Sequence, residues 1–313
     1  MKISMLKSAT LVLALATFFF SSCEKETFEP TIDPPVILNP TTQIDQKIDN
    51  AVLAEDYQDL FELRNRDGYR PVFIDGFLHR AGVAVDQQNV TMFNVIFEKA
   101  PAGLKWAAYH GLTAAAYQSK FNEMTDAGYR PEFVESYPYQ NGIRYAVIFV
   151  KEAGPAYAAV HGLPIASWQA YFDGKVDAGY RLVNRSVVFV GGNKFVTALF
   201  DKKNVGSWIS KSNMDLPATQ TAMEANKDAG RMLTHLDVAQ ETTTNFTFAA
   251  VFNSEPNDGW YALNNLDEAE LLSKIATAKS NGYATTLVSA YDVAGLVNGN
   301  EVNHIRYAVG FRK

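Results

Sequence analysis

Thr113 to Val150 reads TAAAYQSKFNEMTDAGYRPEFVESYPYQNGIRYAVIFV, and the fold is decided in these residues. Tyr117, Phe121 and Met124 have i, i+4, i+7 spacing, the signature of a helix with one buried stripe. Thr113 is placed to cap its start and Gly128 to close its end, where the left-handed turn is cheap only without a Cβ. Pro131 forbids a return to helix. From Ile143 to Val150 apolar residues occupy both alternating faces, the pattern of a strand covered on both sides.

Outward from there the pattern repeats. Gly68-Tyr69-Arg70-Pro71, Gly128-Tyr129-Arg130-Pro131, Gly179-Tyr180-Arg181, Gly230-Arg231 and Gly282-Tyr283 recur about every 51 residues. Such a period defines a repeat architecture. An aromatic stands 22 positions before four of the glycines (Trp106, Tyr157, Trp208, Trp260), and Phe61, Phe121, Phe172, Met223 and Ile275 stand seven before. Eighteen before come His110, His161, Ser212 and Asn264. Pro164 fits the first turn of the third helix, and Asp267 with Glu270 forms a capping box for the fifth. Segments matching the Ile143 strand are Val95 to Phe97, Val196 to Phe200, Phe246 to Phe252 and Ile305 to Phe311. The expected fold is α+β: five tandem α-β-β units, with antiparallel strands and helices on one face. Because the chain ends in a strand like the internal ones, the fifth unit is expected to meet the first and close a ring.

The N-terminus carries a different signal. Lys2 and Lys7 precede an uncharged apolar run from Ala9 to Phe20, and Ser21-Ser22 lead into Cys23, the one cysteine of the chain. The run is too short to span a bilayer as a helix. This arrangement resembles the lipobox of bacterial lipoproteins, with Phe20 in place of the usual Leu, and implies a signal peptide at 1–22 and acylation at Cys23. Cys23-Glu24-Lys25-Glu26 is similar to the sorting signal of surface-exposed outer-membrane lipoproteins. Pro30, Pro34, Pro35 and Pro40 make 23–46 a semi-rigid tether before a folded domain at 47–313.

The residues of the repeat also point to a family. The G-Y-R-P turn, the R-Y-A-V-I-F strand at Arg144 to Phe149 and the H-G-L-T segment at His110 to Thr113 resemble the bacterial tandem repeat domain, which is similar to the N-terminal region of fungal polyglycine hydrolases. The resemblance implies a repeat without established activity, since in those hydrolases the peptidase chemistry belongs to a separate serine β-lactamase-like domain.

Composition and motifs narrow the function. With a formal charge of -6, a general nucleic-acid surface is disfavoured. S-x-x-K occurs at Ser4 and Ser22, inside the signal segment, and no nucleophile elbow, zincin helix or phosphate loop is present. No cofactor is implied. His110 and His161 read as polar residues satisfying backbone near a helix start, with ligand binding as the alternative. Asp126 with Arg130 and Asp177 with Arg181 read as local ion pairs, with a carboxylate site as the alternative. The in-phase aromatics read as plugs between units, with a sugar platform as the alternative. The expected function is a non-catalytic, envelope-tethered binding or scaffold protein for a protein, peptide or glycan, with a hydrolase as the alternative. Its contact residues are expected in the loops Tyr137 to Gly142 (Tyr137, Tyr139, Asn141) and Leu296 to Asn303 (Asn298, Asn300). Alanine at Gly128 or Gly179 is expected to destabilise, and alanine at Gly154 to matter less.

Overall fold

A computed structural model describes residues 45–82, 88–297 and 300–313, without the side chains of 297–301. The signal segment, Cys23 and nearly all of the tether lie outside the described residues, as do Asn298 and the side chain of Asn300.

The helix ends follow from the residues that bound them. Thr113 Oγ1 accepts from Ala116 N at 3.3 Å, and Asp267 and Glu270 complete the capping box. At the other end Gly128 takes φ 83°. Its N–H reaches Thr125 O at 2.9 Å, and Tyr129 N reaches Met124 O at 2.9 Å, the double closure of a Schellman cap. Gly68, Gly179, Gly230 and Gly282 also have positive φ. Pro164 sits one residue earlier than expected, ending a strand at the N-cap of the third helix.

Each unit begins with a strand that the expected α-β-β order omits. Unit 1 runs β1 (Gln46–Leu53), α1 (Tyr57–Arg66), β2 (Tyr69–Ala81), β3 (Gln88–Lys99), and unit 2 runs β4 (Trp106–Leu112), α2 (Ala114–Asp126), β5 (Arg130–Tyr139), β6 (Gly142–Val150). Unit 3 has β7 (Tyr157–Pro164), α3 (Ile165–Asp177), β8 (Arg181–Val190) and β9 (Asn193–Asp201). Unit 4 has β10 (Trp208–Met214), α4 (Leu216–Asp228), β11 (Met232–Gln240) and β12 (Phe246–Asn253). Unit 5 has β13 (Trp260–Leu266), α5 (Glu268–Ser280), β14 (Ala284–Val297) and β15 (Asn300–Arg312). The units are therefore β-α-β-β. Every sheet is antiparallel, with the last strand of the unit in the middle, as in β4-β6-β5. That position explains the two-faced apolar runs: Tyr145 to Val150 are all buried.

The extra strand escapes a period-two reading because a bulge breaks it. Pairing to the central strand slips between Tyr109 and Leu112, and at the same place in every unit. The slip is made by one left-handed residue, Ala51, Gly111, Gly162, Asn213 or Asn265. Glycine and asparagine tolerate that conformation, so the His-Gly and Asn-Asn pairs mark a bulge rather than a helix entry.

One unit's core is closed by the next. Phe61 meets Trp106 at 6.1 Å, Phe121 meets Tyr157 at 6.4 Å and Phe172 meets Trp208 at 6.1 Å, each edge to face. The in-phase aromatics thus act as plugs between units. The second strands of successive units, β2, β5, β8, β11 and β14, are neighbours in that order, and β14 also contacts β2. Between the fifth unit and the first, Gln46 Nε2 donates to Thr285 O at 3.0 Å and Thr285 N donates to Gln46 Oε1 at 3.0 Å.

The glycines allow a paired test. Gly179 has φ 79° with open space around its missing Cβ, so alanine there meets only backbone strain and is expected to cost about 1 kcal/mol. Gly174 lies exposed inside α3, also with open space and without positive φ, so alanine is expected to stabilise by roughly 0.5 to 1 kcal/mol. Thermal unfolding of both variants should show opposite shifts; shifts of one sign would mean that the end of α3 is misassigned. Gly154 has no positive φ, and alanine there meets a side-chain end rather than backbone strain. A Cβ there would lie 2.0 Å from Arg130 Nη1 and 2.5 Å from Cζ, because the guanidinium rests on that backbone.

Candidate functional site

The second strands turn one face toward each other, and residues five and seven after the cap glycine meet there. The first set is Phe73, Phe133, Asn184, His235 and Leu287; the second is Asp75, Glu135, Ser186, Asp237 and Ser289. Phe133 lies 5.2 Å from Phe73 and 6.1 Å from His235, so units 1, 2 and 4 meet through these rings.

Bonds between neighbouring second strands run through side chains. Asn184 Nδ2 donates to Val134 O at 2.6 Å, Ser136 N donates to Ser186 Oγ at 2.7 Å, and Ser289 Oγ donates to Leu236 O at 3.0 Å. His235 Nε2 lies 2.6 Å from Arg185 O, which fixes that nitrogen as a donor. Asp75 Oδ2 accepts from Asn94 Nδ2 at 2.8 Å and from Ala290 N at 3.1 Å. Asp292, farther along β14, accepts from Arg80 N and pairs with His79 Nδ1, both at 2.7 Å.

The electrostatics of this centre are unusual. Burial pushes the Asp75 carboxyl up to about 7, against the pull of its hydrogen bonds. Burial also raises Asp237 to about 7, opposed chiefly by the charge of Arg185. Glu135 is raised well above the usual carboxylate range, first by burial and then by Asp237 and Asp75. His235 is lowered to about 4 by burial and stays neutral. A cavity of about 60 Å³ borders Asp75, Glu135 and Asp237, and Asp237 Oδ2 is buried without a hydrogen-bond partner. Asp75 and Asp237 can hold or exchange a proton near neutral pH. Among the described residues no group of three His, Cys, Asp or Glu is placed to hold a metal ion.

The residues singled out in the sequence lie elsewhere. His110 flanks the bulge of β4, packs 4.6 Å from Tyr57 of the preceding unit and pairs with Gln58 Oε1 at 2.8 Å. His161 does the same in β7, 4.7 Å from Tyr117 and 5.2 Å from Tyr145. Burial lowers both imidazoles, and the two histidines belong to different junctions.

Tyr137 is not a loop residue. It is 1% exposed within β5, its ring 4.8 Å from Phe93, and its hydroxyl accepts from the bulge amide Gly111 N at 2.8 Å. Tyr139 ends the strand half-buried beneath Arg144, and Asn141 is exposed in the turn. Nor is Leu296 to Asn303 a loop: Leu296 pairs with Glu301 and Val297 with Asn300, extending the hairpin to its tip.

The expected ion pairs are also redrawn. Arg181 binds Asp201 across the strands, with Nη2 to Oδ2 at 2.9 Å, and not Asp177. Arg130 reaches Pro155 O at 3.3 Å and not Asp126. The i, i+4 geometry ends at the glycine cap, which sends the following arginine along a strand.

Five β-α-β-β units in sequence, each completing its neighbour's core, define a tandem structural-repeat protein. A family described as the polyglycine hydrolase-like structural repeat matches residues 53–100, 103–152, 154–203, 205–255 and 257–308. The chain belongs to that family.

Proposed function

We propose that this protein is a lipid-anchored cell-envelope protein, held by acylated Cys23 at the outer membrane, whose repeat domain closes into a ring and serves as a non-catalytic binding or scaffold module for a protein, peptide or glycan. One observation carries the reading. Several polar side chains between the second strands are tied to neighbouring units, Ser136 to Ser186, His235 to Arg185 O and Asp75 to Ala290 N, with Asp75 also bonded to Asn94 of its own unit, so they build a rigid frame. Closure is supported by the paired bonds between Gln46 and Thr285. The anchor is supported by the single cysteine behind its apolar run. Contact with a partner falls to the turns that differ from unit to unit, such as Gln140-Asn141 beside Tyr139, Gly191-Gly192 and Glu241 to Asn245.

The hydrolase alternative is favoured by Asp75 and Asp237, both near 7 and so able to move a proton at neutral pH. One experiment separates these readings. Cells given an alkyne-tagged fatty acid should label the wild type at Cys23, whereas Cys23→Ala should be unlabelled and released. The released chain, mixed with glycine-rich peptides and cell-wall glycans, should bind saturably without releasing product. Label on the alanine variant removes the anchor; turnover that Asp75→Asn or Asp237→Asn abolishes replaces the binding module with a hydrolase.

A further inference from the structure

The arginine two residues after the cap glycine has a different fate in each unit that carries it. Arg70 of unit 1 grips Glu132 of unit 2 with both Nη atoms, Nη2 to Oε1 at 3.1 Å. It also lies opposite Glu98 in the sheet register. Arg181 of unit 3 lies opposite Asp201 and pairs with it. Arg130 of unit 2 has neither kind of partner. Its cross-strand neighbour is Val150, and the position in unit 3 that corresponds to Glu132 is Val183. Its one hydrogen bond is from Nη2 to Pro155 O, and its Nε, like that of Arg70, is buried with no acceptor.

The junction of units 2 and 3 also holds a cavity of about 180 Å³. Arg130, Val150, Val183 and Leu199 line it, with Tyr157 and Lys203 beside them. The carboxylates around it are engaged or exposed: Glu132 with Arg70, Asp201 with Arg181, and Glu152 open to solvent. The missing side chain of Gly154 leaves room for the guanidinium, with which a Cβ would overlap. The wall is mixed: Val150, Val183 and Leu199 are apolar, while Glu132, Arg181, Asp201 and Lys203 already have ion partners. A half-buried guanidinium without the carboxylate its counterparts have, facing such a cavity, is a site for a carboxylate from outside.

We propose that this cavity binds a small aliphatic carboxylate on Arg130, either a free acid or the C-terminal residue of a peptide. The ligand oxygens replace Glu132 of the neighbouring junction and its short chain lies against Val150, Val183 and Leu199. The site does not depend on the anchor or on ring closure.

The substitution Val183→Glu tests this without removing Arg130, because it restores the carboxylate that Arg70 already has. The full chain is titrated with propionate and with N-acetylglycine, against propionamide and N-acetylglycinamide, following the Arg130 Nε–H resonance and calorimetric heat. Saturable binding of at least one acid and neither amide is expected in the wild type, propionate alone marking a free-acid site and N-acetylglycine alone a peptide terminus. Binding should weaken about tenfold or more in Arg130→Gln and in Val183→Glu. Val183→Glu should also unfold at a higher temperature than the wild type, which shows that its loss of binding is not loss of fold. Equal binding of acids and amides, undiminished binding in Val183→Glu, or no saturation by either acid would overturn the site.

Discussion

Replacing Asp292 by alanine is expected to destabilise the domain by roughly 3 kcal/mol, the largest effect of any single polar substitution proposed. Asp292 is fully buried, and its carboxylate receives both Arg80 N and the His79 ring, reaching from unit 5 to unit 1. Its backbone is held by unit 4, with Asp292 N donating to Gln240 Oε1 at 2.9 Å and Gln240 Nε2 donating to Asp292 O at 2.6 Å. Alanine leaves the Arg80 amide and the imidazole without their acceptor, and an unmade buried bond costs more than a made one contributes. The comparison is Asp173→Ala, where an exposed carboxylate on α3 accepts only from Gln169 and the loss should stay within about 0.5 kcal/mol. Urea unfolding of the two variants checks this. Equal midpoints would mean that units 1 and 5 do not support each other.

The second large effect is on pH dependence. Asp75 and Asp237 titrate near 7 in the folded protein, Glu135 is also raised, and in the unfolded chain all three titrate near 4. Between about pH 4 and 7 the native state therefore holds more protons than the unfolded state, and these groups lower stability as pH rises. His235 acts in the opposite sense: folded near 4 and unfolded near 6.5, it adds stability as pH rises through that interval and nothing further above it. From about pH 6.5 upward the carboxyls act without that opposition, so the unfolding temperature should fall from pH 6.5 to 8. Asp75→Asn keeps an oxygen for Asn94 and Ala290 while removing one charge, and should flatten that fall. A wild-type profile that rises over this interval, or an unchanged slope in Asp75→Asn, would contradict the burial of these groups.

Features set within a few residues were legible before the structure. The glycine caps, the Thr113 and Asp267 N-caps and the two-faced central strands depend on local chemistry, and each falls where the pattern places it. The first strand of each unit was not legible, because seven or eight residues with a left-handed interruption have neither period. Gly111 and Gly162 signal the interruption, but Ala51 gives no such signal. Partners of the arginines depend on which strands become neighbours, so spacing paired Arg130 and Arg181 with the wrong aspartates. The inner polar residues stand at a constant offset from the glycine, yet as Asp75, Glu135, Ser186, Asp237 and Ser289 they divide between carboxyl and hydroxyl types, and their meaning appears only when the strands meet. Tyr137 was misplaced for a related reason: its neighbours Pro138 and Tyr139 suggest a loop, whereas the Gly111 amide draws its hydroxyl inward.

The closed ring is tested most directly by hydrogen exchange, residue by residue, on the wild-type chain. At an internal junction the amides of Val134 and Ser136 are held by Asn184 and Ser186. Between units 5 and 1 the amides of Thr285, Ala290 and Arg80 are held in the same manner by Gln46, Asp75 and Asp292. A closed ring opens only with the whole domain, so it predicts that both sets exchange with the same slow rate and lose protection together as urea is added. Fast exchange at Thr285, Ala290 and Arg80 while Val134 and Ser136 stay protected would show an open array whose ends merely touch.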